Sequence, residues 1–62
     1  MCEANAYIFN DPNEELFLEE VNKVTPEGDL LIFENIFGER KIVRGRIKEI
    51  ILLDHKIIIE KL

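Results

Sequence analysis

The sequence predicts an all-β fold, a small barrel or sandwich of short strands. Ten isoleucines, joined by valine, phenylalanine and tyrosine, weight the chain toward strands, because β-branched and aromatic side chains fit a pleated, half-buried surface. Turn chemistry recurs at short intervals, at Asn10-Asp11-Pro12-Asn13, Pro26-Glu27-Gly28-Asp29, Gly38, Gly45 and Asp54-His55. Such punctuation between short apolar stretches marks sandwiches and barrels. No linker, repeat or low-complexity tract interrupts the 62 residues, so a single domain, 1–62, is expected.

A first strand is expected over about residues 2–9. There Cys2, Ala4, Ala6 and Ile8 alternate with Glu3, Asn5, Tyr7 and Phe9, as the two faces of a strand require. Small side chains at 2, 4 and 6 leave space on their face. A short strand over 15–19 comes next, with Leu16 and Leu18 opposite Phe17. A hairpin then runs from 21–25 through the Pro26 to Asp29 turn into 30–36. Residues 41–44 pair nearby, and Gly45 is expected to kink or bulge the chain, as an isolated strand glycine often does. The last unit is a hairpin of 46–53 and 56–61, closed by Asp54-His55, with Asp54 expected to take up the positive φ of a tight turn.

Residues 13–25 also carry a helical signature. Asn13 is a capping residue, Glu14 and Glu15 form an acidic first turn, and Phe17, Val21 and Val24 fall at i, i+4 and i+7 before Pro26. The strand reading is preferred because Val21, Val24 and Thr25, followed by Pro-Glu-Gly-Asp, suit hairpin chemistry.

A core of this size supplies only about 3–5 kcal/mol, and small domains generally add disulfides, a metal or a second subunit. The lone cysteine, Cys2, cannot form a disulfide within one chain. The C-terminal hairpin points to a second subunit. Ile50 to Leu53 and Ile57 to Ile59 are apolar on both faces of their strands, so a wall buried on one side leaves some of them wet, unless neighbouring loops cover the outer face. A homodimer is the expected source of the missing cover.

The net charge of −5 conceals a division. Residues 1–39 hold ten acids against Lys23, whereas 40–62 hold seven bases against Glu49, Asp54 and Glu60. In one small fold this reads as complementarity between neighbouring strands or subunits, since a nucleic-acid surface normally accompanies a basic overall balance. No basic-then-apolar leader is visible, and the longest apolar runs, such as Ile50 to Leu53, are far below the ~18 residues of a membrane span. A reducing cytoplasm is the expected location, with no membrane association.

Catalysis is not expected. The chain has no serine, one threonine, one histidine and one cysteine, and nothing in the spacing brings Cys2 and His55 together. A phosphate-binding glycine loop and a CxxC pair are both missing. Arg44, Arg46 and Lys48 fall at strand period and could form a cationic face for single-stranded nucleic acid, but no aromatic residue lies in that stripe to stack on bases. Cys2 is the metal candidate. A thiolate with nitrogen ligands suits Ni(II) or Cu(II) in square-planar geometry, and two chains on a two-fold axis could bring two thiolates together with backbone nitrogen. A small incidental thiol is the plainer alternative.

Met1-Cys2-Glu3-Ala4-Asn5-Ala6-Tyr7, Glu19-Glu20-Val21, Pro26-Glu27-Gly28-Asp29, Phe37-Gly38-Glu39, Gly45-Arg46-Ile47-Lys48-Glu49-Ile50 and His55-Lys56-Ile57 together resemble the CooT family. These short proteins are similar to the nickel chaperone of carbon monoxide dehydrogenase maturation, and many are also labelled predicted RNA-binding proteins. The resemblance covers essentially the whole chain, and the Met-Cys opening is its most specific element. It implies a small SH3-like β-barrel of short antiparallel strands, a homodimer, and Ni(II) held through Cys2 and nearby backbone nitrogen at the dimer interface. It also implies delivery to a nickel enzyme such as carbon monoxide dehydrogenase. Only Cys2 carries over as a ligand; His55 matches a turn position. Ile51 departs from the family pattern, where a polar residue is frequent, and this enlarges the expected apolar contact surface.

Overall fold

The computed structural model describes residues 3–62, and these form five strands: β1 (Ala4–Asn10), β2 (Asn13–Glu27), β3 (Leu30–Asn35), β4 (Arg40–Ile51) and β5 (Lys56–Lys61). They close into a barrel in chain order. Four neighbouring pairs are antiparallel, and the ring is closed by a parallel pairing of β1 with β5, from Asn5 opposite Lys56 to Phe9 opposite Glu60. That closing pair lies outside the all-antiparallel expectation. It arises because β1 and β5 both leave the same barrel end, where the chain begins.

The two long strands each serve two neighbours. β2 pairs with β1 through its first half and with β3 through its second; β4 pairs first with β3 and then with β5. The two strands expected at 15–19 and 21–25 are therefore one 15-residue strand. Its bend sits at Glu20, which takes a left-handed φ of 56°. The register slips against β1 around that residue and again against β3 between Val21 and Lys23. Each extra residue re-aims the alternation, so Leu18, Val21 and Val24, three apart, all pack in the core. Phe17 packs against the same core, so Phe17, Val21 and Val24 read in sequence as a helix-like stripe.

Gly45 is not the bulge. It stays in ladder register opposite Lys61, and the slip falls at Lys48, between Ile47 and Glu49. The glycine is required for another reason: a Cβ at position 45 would collide with the Glu60 backbone carbonyl. The last turn also differs from expectation, because His55 rather than Asp54 adopts positive φ, at 52°. The His55 N–H closes this turn on the Leu52 carbonyl at 3.2 Å.

Ala6, Leu18, Val21, Leu31, Phe33, Val43, Ile57 and Ile59 form the core, with Phe33 and Ile59 fully buried. Phe17 meets Phe33 edge-on, 5.5 Å between ring centres, a preferred aromatic geometry. Ile58 is buried as well, on a strand flanked on both sides, opposite Tyr7 of β1 and Glu49 of β4. Ile57 to Ile59 are thus buried within one chain, and only part of the two-faced apolar hairpin is left without cover. Ile50, Leu52 and Leu53 of the same hairpin stay exposed.

Candidate functional site

The barrel end where the chain begins is held by a row of hydrogen bonds. The Asn5 N–H donates to the His55 carbonyl at 2.8 Å, the Glu20 N–H donates to Asn5 Oδ1 at 3.1 Å, and the Ile36 N–H donates to the Glu20 carbonyl at 3.0 Å. One asparagine thereby joins the β4–β5 turn to the β2 bend, and the bend holds the β3–β4 turn. That turn is closed by the buried Asn35, whose Oδ1 accepts from the N–H groups of Phe37 and Glu39 and whose Nδ2 donates to Glu39 Oε1. The strand preceding this row is therefore well placed at Ala4.

Beside it opens a cavity of about 360 Å3. Ala4, Val21, Val24, Ile50, Ile51, Leu52 and Ile57 supply its apolar wall, with Glu3, Lys23, His55 and Lys56 among the polar groups around it. Ile51 is half-buried here. Glu3 holds one carboxylate oxygen, Oε2, out of water with no hydrogen-bond partner among the described residues. An anionic oxygen in that state calls for a cation or a donor close by.

Cys2, the metal ligand expected from sequence, lies outside the described residues, directly before Glu3. Among the described residues no three His, Cys, Asp or Glu side chains gather as a metal-binding group. His55 and Glu3 do border one cavity, a juxtaposition that sequence spacing did not suggest and that results from the parallel β1–β5 pairing. Glu3 could have been singled out from its place next to Cys2.

The cationic candidates are occupied locally. Arg44 pairs with Asp29 at 3.9 Å and Arg46 with Glu60 at 3.5 Å, while Lys48 stands over the Phe9 ring at 4.9 Å. Lys41 similarly lies 5.2 Å from the Phe17 ring centre and donates to the Phe17 carbonyl. Aromatic rings that the strand sequence lacks are thus brought in from β1 and β2. Two ion pairs, Arg44–Asp29 and Lys56–Glu14, join the acidic part of the chain to its basic part; Lys23–Glu34 and Arg46–Glu60 lie within one part each. The Lys56–Glu14 pair, at 2.7 Å, is the tightest of the four. Its hydrogen bond to Glu14 holds the Lys56 pKa above the ordinary lysine value.

The described residues thus form a small closed barrel with an apolar mouth beside Glu3 and Ala4. Among the described residues no helix is long and apolar enough to cross a membrane. The chain belongs to the CooT family: residues 1–60 match the family described as CO dehydrogenase accessory protein CooT. A crystal structure from Carboxydothermus hydrogenoformans, provisionally identified as CooT, is similar at a TM-score of 0.93 and 49% identity, with 98% of each chain covered. An uncharacterized protein of Methanocaldococcus jannaschii is 42% identical over 60 residues, covering 97% of this chain and 98% of that protein.

Proposed function

We propose that the protein is a nickel-binding accessory protein. It holds Ni(II) through the Cys2 thiolate and nearby backbone nitrogen at a homodimer interface, for delivery to a nickel enzyme such as carbon monoxide dehydrogenase. The observation that carries this reading is the family match, which begins at residue 1 and so includes the Met-Cys opening. The local chemistry agrees with it. Thiolate and nitrogen donors suit Ni(II), and Glu3, whose Oε2 is buried without a hydrogen-bond partner among the described residues, is the residue after Cys2 in the chain. Among the described residues a single chain offers no three-membered ligand cluster, so a second Cys2 is a natural source of further donors. Cargo that must be released is better held by few protein ligands than by a closed cage.

Nickel titration tests this. Sulfur-to-nickel charge-transfer absorption should rise and saturate near one metal per two chains, and Cys2→Ala should abolish it. Affinity should weaken as pH falls, because protons compete for the thiolate and nitrogen donors. An unchanged spectrum in Cys2→Ala defeats the reading. The nucleic-acid alternative on Arg44, Arg46 and Lys48 has less support, since two of the three already face carboxylates.

A further inference from the structure

We propose that the free edge of β2, over its first half, takes an extended, positively charged peptide segment of a partner protein as an added strand. β2 serves two neighbours in turn, and over Asn13 to Leu18 it pairs with β1 alone. β4 likewise pairs with β3 alone over Arg40 to Val43. Between these two half-strands no ladder forms among the described residues. Instead Lys41 Nζ of β4 donates to the Phe17 carbonyl at 2.9 Å. A side chain thus stands in for a strand rung, and the Phe17 carbonyl is an acceptor turned toward the place of a further strand.

Strand addition draws affinity from main-chain hydrogen bonds and specificity from sockets for alternate side chains. Both are present. The free half of β2 is roughly 20 Å long at the rise of an extended chain. Beside it lies a depression of about 570 Å3, with Ile8, Leu16 and Phe17 in its wall and Asp11, Glu15 and Lys61 around it. Leu16 is 52% exposed, so an apolar side chain on the incoming strand finds a neighbour to cover. Lysine on an edge discourages indiscriminate pairing, but the Lys41 side chain is exposed and flexible, and a peptide N–H can replace it at the Phe17 carbonyl.

Charge selects the occupant. Asp11, Glu15 and Glu19 lie in the turn before this half-strand and along it, and none has an ion pair among the described residues. A second copy laid edge to edge would set like charges opposite each other, which is destabilising. Nucleic acid is repelled by the same carboxylates. A basic segment complements both the edge and the net charge of −5. The edge shares no residue with the mouth beside Glu3, so the inference stands apart from the nickel reading.

NMR of the isotope-labelled full chain tests it, with a peptide of alternating lysine and valine, blocked at both ends and about as long as the edge. Amide shifts should concentrate on residues 13–19 and Lys41. Methylating the peptide's backbone nitrogens at alternate positions should abolish binding for one set of positions and spare it for the other, because only alternate N–H groups of an added strand face β2. Glu15→Lys combined with Glu19→Lys should weaken binding on the order of 10-fold. Glu27→Lys, at an exposed position on the second half of β2, should leave it unchanged. Equal binding by the two methylated peptides would mean attraction by charge alone and overturns the proposal. Shifts centred on the mouth beside Glu3, or no binding at low salt, overturn it as well.

Discussion

The β5 strand and the turn before it are made of the same residue types and meet opposite fates. Ile57, Ile58 and Ile59 are 8%, 3% and 0% exposed, whereas Leu52 and Leu53 are 80% and 91% exposed. Hydropathy does not separate them; position in the ring does. β5 has β1 on one side and β4 on the other, and the turn projects past the last ladder rung. An apolar run therefore reports that something must cover it, and only the pairing of strands says whether its own chain can.

That comparison is broken most decisively at Ile59. Ile59→Ala should destabilise folding by about 2–5 kcal/mol, read as a shifted urea midpoint. Leu52→Ala, at an 80% exposed side chain, should cost under about 0.5 kcal/mol by the same measurement. Comparable losses at the two positions would erase the distinction between them. A smaller effect is expected at Gly45, where β4 lacks room for a Cβ against β5. Gly45→Ala must push the Glu60 carbonyl away and should cost about 1–3 kcal/mol, whereas a neutral outcome would show that β5 yields easily.

The smallest effect concerns how the start of β5 is tied down. Lys56 bonds Glu14 across the outside of β1, 2.7 Å apart, and its ring contact with Tyr7 lies at 4.9 Å. Because its folded pKa is raised, the stability it lends is fully present below the unfolded lysine value, about 10.4, and is lost as pH rises through the folded pKa. The melting-temperature gap between the unmodified chain and Lys56→Met should be constant through neutral pH and close in strong alkali. A gap that closes in acid alone would assign the effect to Glu14 instead.

Much of the barrel was legible from residue types and spacing. The Pro26 to Asp29 hairpin, the alternating first strand and the final hairpin all stand close to where they were expected, because each depends on neighbours in sequence. The β2 bend was not legible. Two register slips turn a two-residue alternation into a three-residue one at Leu18, Val21 and Val24, and Phe17, packed against the same core, completes a stripe with Val21 and Val24 that imitates a helix. Gly45 was singled out correctly as special but for the wrong reason, since its partner, the Glu60 carbonyl, lies fifteen residues away. Of the candidate site, the Cys2 thiol could be singled out from sequence as the ligand now proposed, while the apolar mouth beside Glu3 could not.

The sequence by itself determined the class of fold, the family and the identity of the one thiol, because composition, turn chemistry and motif are local properties. The tertiary structure decided that β1 and β5 close the ring in parallel, that Ile57 to Ile59 are covered from within, and that Glu3, His55 and the exposed Leu52 border one cavity. These are relations between residues some fifty positions apart in the chain. They follow from how strands close around a common core, which no local pattern records.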